Sequence, residues 1–128
     1  SYDDLKKMHE LKTGALIKCA MLLGYYAYCD VPDENIVCDL TKFALNIGVA
    51  FQIRDDILDK ISDKETLGKN IGSDEKNQKK TSLSYMSIED AQKEVDSLTN
   101  KAIEEITKYC KIDSVLPVFA KYLIDRKK

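Results

Sequence analysis

The stretch Phe51-Gln52-Ile53-Arg54-Asp55-Asp56-Ile57-Leu58-Asp59 holds the densest set of side chains suited to chemistry. At about 100° per residue on a helix, Gln52, Asp55, Asp56 and Asp59 fall within one arc of roughly 100°. Three carboxylates then project together, and Asp55/Asp59 and Asp56/Asp59 stand at spacings where like charges repel. The pattern sets them near a helix C-terminus, where the macrodipole adds a second penalty, and Asp is itself a poor helix former. Each term costs between tenths of a kcal/mol and about 1 kcal/mol, all with one sign. A bound cation would reverse that sign. Oxygen donors with no paired His or Cys suit Mg²⁺, which keeps several waters and is usually completed by substrate phosphates. The same spacing also suits a solvated acidic helix end that binds nothing.

A metal held by so few carboxylates implies a polyanionic ligand, and that ligand needs cations. His9, Lys12, Thr13 and Leu16 share one face of an earlier helical pattern, which sets an ammonium beside a hydroxyl. Further on come Leu67-Gly68-Lys69-Asn70-Ile71-Gly72-Ser73-Asp74, then Lys76, Lys79, Lys80 and Thr81. Glycines there would let backbone N–H groups approach phosphate oxygens while lysines neutralise them. The order is not that of a Walker A loop, which needs its Lys after the second Gly. Singly, each lysine reads as a solvated surface charge and His9 as a hydrogen-bonded helix residue. The set carries more than its members.

Four helical segments must position these groups. The first runs about 2–28, with Leu5, Met8, Leu11, Ala15, Cys19, Leu22 and Tyr26 at three- and four-residue steps. From Gly14 to Leu23 it is apolar on nearly every side but Lys18, which predicts burial in the middle of a bundle. The second, about 34–61, starts after an Asp in Asp30-Val31-Pro32-Asp33 and carries the acidic cluster. Residues 62–80 break the periodicity and read as a polar loop. A third helix, about 88–109, opens with the capping pair Ser87/Asp90. A fourth opens at Ser114 and tolerates Pro117 in its first turn. There is no alternating strand pattern and no internal repeat, so the fold class is all-α.

Composition limits the function classes. The 128 residues are 44% hydrophobic and 33% charged with a net charge of −2, too apolar for disorder and enough for one domain. That balance gives no global attraction to nucleic acid or anionic membrane. The run Cys19–Cys29 is too short to cross a bilayer. Cys19, Cys29, Cys38 and Cys110 form no C-x-x-C pair and no secretory leader opens the chain, so reduced thiols and a cytoplasmic setting are expected. The chain starts without Met in what reads as a helix already under way, and it is expected to be the C-terminal piece of a longer protein.

His9-Glu10-Leu11-Lys12-Thr13-Gly14-Ala15-Leu16-Ile17, then Gly48 through Asp59, then Leu67-Gly68-Lys69 to Gly72-Ser73-Asp74, Lys79 and Thr81, resemble the C-terminal half of the trans-isoprenyl diphosphate synthases. The likeness is greatest to the bacterial farnesyl diphosphate synthases and covers essentially all of residues 1–128, as the C-terminal part of a single polyprenyl synthetase domain. The resemblance implies a helical bundle around a central cavity and Mg²⁺-dependent condensation of isopentenyl diphosphate with an allylic diphosphate. It implies that Asp55, Asp56 and Asp59 serve the metal, with Asp55 a direct ligand and Asp56 and Asp59 acting directly or through water. It assigns Lys12, Lys69, Lys79 and Arg126 to diphosphate binding, and Thr13 and Gln52 to the surroundings of the developing carbocation. It also implies a homodimer for the complete enzyme. A geranylgeranyl or longer-chain synthase, or a non-catalytic subunit on the same scaffold, are the other readings of these motifs. The departures are one D-D-x-x-D segment in place of the family's two, and Ser82-Leu83-Ser84-Tyr85-Met86-Ser87 where Pro and Gly are usual after Lys-x-Thr.

Overall fold

The computed structural model describes residues 1–67 and 80–125. Every regular element among them is helical, as the periodicity and the resemblance imply: α1 (Tyr2–His9), a π turn (Glu10–Gly14), α2 (Ala15–Tyr28), α3 (Glu34–Leu67), a 3₁₀ turn (Ser82–Ser84), α4 (Ile88–Ile106) and α5 (Val115–Asp125). α3 is the central element and packs against all the others.

Its apolar residues feed two core clusters. Leu40, Phe43 and Ile47 meet Ala102, Ile103, Ile106 and Ala120. Val49, Ala50, Ile53 and Ile57 meet Ala91, Val95, Leu98 and Ile124. α3 therefore buries both halves of its length, and its acidic face is the one left over. By length and composition the span Glu34–Asp63 is apolar enough to cross a membrane, but here it is the helix around which the core is built.

The local signals for the helix starts hold. Asp33 Oδ1 accepts the Asn35 N–H (2.8 Å), and the Asp33 N–H donates to Tyr25 Oη (3.0 Å), which fixes the turn between α2 and α3. Ser87 Oγ accepts the Asp90 N–H at 3.0 Å and caps α4. Ser114 stands at the start of α5, yet its hydroxyl donates back to the Lys111 carbonyl (2.6 Å) instead of capping forward.

Three expectations are corrected. The polar loop does not begin at Ser62, because α3 continues to Leu67. Lys64, Glu65 and Leu67 are good helix formers and the first glycine comes only at 68, so nothing stops the helix earlier. Asp59 is consequently eight residues short of the helix end, and the macrodipole penalty, confined to the last turn, does not reach the cluster. Second, α4 ends at Ile106, with residues 107–109 in a turn. Third, α2 is not buried in the middle of the described bundle. None of its residues is buried, and Leu16 and Leu23 are 72% and 66% exposed. Ile17, Met21, Leu22 and Tyr25 lie half-buried against the first core cluster, and no other described element covers the opposite side.

Candidate active site

Lys12 and Thr13 sit inside the π turn, which closes with the Ala15 N–H donating to the Glu10 carbonyl. This i→i+5 pairing widens the helix by one residue and re-aims the side chains it contains, a device that recurs at functional sites. The turn packs directly on α3 through two glycines. A Cβ added to Gly48 would lie 2.4 Å from Gly14 Cα and 2.5 Å from Gly14 N. Only hydrogen at position 48 permits that approach, and a Cβ at Gly14 would press on Leu45 Cδ2 at 3.0 Å. One helical turn beyond Gly48 comes Gln52, so the glycine contact fixes Lys12 and Thr13 relative to the helix that bears the acidic cluster.

Lys12 is exposed and lines an open groove of about 400 Å³ with Asp4, Lys7, Met8 and Leu11. Thr13 and Gln52 are half-buried. His9 is 5% exposed and already engaged in an interaction, which agrees with a structural histidine.

On α3, Asp55 and Asp59 stand one turn apart, Asp55 half-buried and Asp59 exposed. Asp56 Oδ2 accepts the Ser82 backbone N–H at 2.7 Å. Arg54, between Ile53 and Asp55, sends its Nη1 to Gln92 Oε1 (2.9 Å) and so ties α3 to α4. Among the described residues no three His, Cys, Asp or Glu side chains converge as a metal cage. Two carboxylates on one turn are nevertheless the donor set that suits Mg²⁺, which takes one or two protein carboxylates and fills its remaining positions with water and phosphate oxygens. The residues present fit the ion as part of a site. Lys69, Lys79 and Arg126 lie outside the described residues.

Sequence reasoning missed the π turn, the glycine contact and the 3₁₀ turn at Ser82. A glycine in each of two adjacent helical patterns was the available signal for the close approach. The π turn left no mark, because its residues keep the helical periodicity on either side.

The polyprenyl synthetase family profile matches residues 1–116. The chain is 36% identical to farnesyl diphosphate synthase of Escherichia coli (strain K12), over 98% of its own length and 43% of that protein. It is 39% identical to geranylgeranyl diphosphate synthase of Cyanophora paradoxa (97% and 41%) and 36% identical to dimethylallyltranstransferase of Fischerella ambigua (strain UTEX 1903) (95% and 35%). The chain thus spans about two fifths of the length of the curated relatives it matches. With a family match over residues 1–116 and relatives more than 30% identical along nearly all of its length, this all-helical chain belongs to the polyprenyl synthetase family of trans-prenyltransferases.

Proposed function

We propose that the chain forms the C-terminal part of a cytoplasmic, Mg²⁺-dependent farnesyl diphosphate synthase, which joins isopentenyl diphosphate to an allylic diphosphate. The observation that carries this reading is the pairing of Asp55 and Asp59, one turn apart on α3, with a lysine–threonine π turn pinned to the same helix by Gly14 and Gly48. Four free cysteines fit a reducing compartment. A homodimer, which the resemblance implies for the complete enzyme, belongs to the same reading.

In this mechanism Asp55 and Asp59 would hold the ion, which would neutralise charge on the departing diphosphate. Lys12, together with Lys69, Lys79 and Arg126, binds the diphosphate oxygens. Thr13 and Gln52 present an oxygen lone pair and an amide dipole toward the carbon that becomes cationic. Fixed dipoles of this kind need no reorganisation at the moment of reaction, and they are where the rate gain arises. The C3–C4 double bond of isopentenyl diphosphate attacks through C4, and a proton leaves from the adduct. The relatives include both farnesyl and geranylgeranyl synthases at similar identity, so product length is the finer part of the proposal.

Incubation of the complete synthase with geranyl diphosphate, labelled isopentenyl diphosphate and Mg²⁺, followed by chromatography of the dephosphorylated products, tests the reading. Farnesol as the main product is expected. Label in longer prenols would move the assignment to a longer-chain synthase, and no incorporation at all would remove it.

A further inference from the structure

Of the motif's three acids, the middle one is already in use. Asp56 Oδ2 takes the N–H of Ser82 at 2.7 Å, a short charge-assisted bond to the first residue of the 3₁₀ turn. Ser82 is fully buried, and the turn is itself organised by Ser84 Oγ, which accepts the Thr81 N–H (3.1 Å). Leu83 and Met86 pack on the core cluster built from Ile53 and Ile57. Tyr2 closes the other side: its ring lies 6.1 Å from that of Tyr85, and its buried hydroxyl has no hydrogen-bond partner. Burial, with Glu94, Asp3 and Asp56 nearby, pushes that hydroxyl up to about 12. Asp56 therefore faces a packed junction of α1, α3 and the 3₁₀ turn.

We infer that Asp56 is a positioning residue, not a metal ligand: its carboxylate fastens the chain at Thr81–Ser82 to α3, next to the face carrying Asp55 and Asp59. The assignment rests on the prenyl-transfer reading only for its effect on catalysis; the fastening itself is a property of the unliganded chain. A fastener needs an acceptor oxygen at this point, whereas a ligand needs the negative charge. Asparagine keeps the first and loses the second, so two variants separate the roles.

In the unliganded chain, the Ser82 amide should exchange slowly with the native residue and with Asp56→Asn, and at least about tenfold faster with Asp56→Ala. Equal Ser82 exchange in the native chain and Asp56→Ala overturns the fastening, whatever the synthase does. In the complete synthase, Asp56→Ala should raise KM for the allylic diphosphate about tenfold, while Asp56→Asn returns it to within about threefold of native and leaves the Mg²⁺ concentration for half-maximal rate unchanged. If Asp56→Asn instead shifts that Mg²⁺ requirement as far as Asp55→Asn does, Asp56 is a ligand and the inference fails.

Discussion

Asp39 and the Asp55–Asp59 group are acidic stations on the same helix, separated by roughly 24 Å at 1.5 Å per residue, and α3 deals with them in opposite ways. Asp39 is 9% exposed and surrounded by donors from its own chain: Tyr109 Oη at 2.7 Å, and Lys42 Nζ and Lys108 Nζ at 3.3 Å each. The Tyr109 hydrogen bond, with the two lysines against a smaller burial penalty, holds its carboxyl down at about 2. That station joins α3 to the turn after α4. At the other station Asp59 stands exposed one turn from Asp55, at a spacing where like charges repel, and one oxygen of Asp56 is given to a backbone N–H. A carboxylate whose charge is met by its own chain fastens the fold. A group whose mutual repulsion the chain tolerates is suited to an ion brought from outside.

The sharpest way to break this contrast is to remove one acid from each station. In the complete synthase, Asp55→Ala should lower turnover at least about a hundredfold, because charge developing on the leaving diphosphate goes uncompensated. Asp39→Ala should leave kcat within a factor of a few. Steady-state kinetics on both proteins checks this, and near-native turnover for Asp55→Ala would sink the metal assignment. The 128-residue chain without the remainder of such an enzyme should show no prenyl transfer under the same assay, since it has one D-D-x-x-D segment where the family has two.

Gly48 lies between the stations and should matter to both. A methyl group there meets the Gly14 backbone at 2.4 Å and Thr13 C at 3.1 Å, and backbone cannot swing aside as a side-chain tip can. Gly48→Ala should cost about 1–3 kcal/mol, the usual range for overpacking, seen as a melting temperature lower by several degrees. An unchanged melting curve would mean that the π turn is not pinned as described.

How far the sequence foretold these features depends on range. The apolar periods of Leu40–Ile57 and Ala91–Ile106 announced their helices, since a helix face is written in consecutive residues. Asp33 and Ser87 announced their caps because capping is equally local. The acidic face was legible for the same reason, including the arc shared by Gln52, Asp55, Asp56 and Asp59. What could not be read depends on residues far apart in the chain. Asp39 finds Tyr109 and Lys108 some seventy positions later, and Asp56 finds Ser82 across 26. α2 shows the converse failure: its apolar composition predicted burial in the middle of the bundle, yet Leu16 and Leu23 stand exposed, because composition cannot name the surface that does the covering.

The smallest expected effect is also the one whose pH dependence distinguishes the stations most directly. The ordinary carboxyl of Asp39 titrates at 3.8, and the fold lowers it to about 2. Folding therefore favours the ionised form, so Asp39 contributes its stability in full above about pH 4 and loses it as pH falls toward 2. Asp39→Asn should be less stable than the native chain at pH 6, and the gap should narrow steadily below pH 4 in urea melts. Asp59→Asn should behave with the opposite sign: relieving a like-charge pair at this exposed position stabilises the unliganded chain at pH 6 by roughly 0.2–0.5 kcal/mol at low salt. That gain should vanish in acid, where the carboxylates are protonated, and shrink when salt is added. A constant Asp39→Asn gap from pH 6 to pH 2.5 would show that its hydrogen bonds act independently of charge. A destabilised Asp59→Asn would show that the exposed acid of the second station is fastened by its own chain after all, and the contrast between the two ends of α3 would be lost.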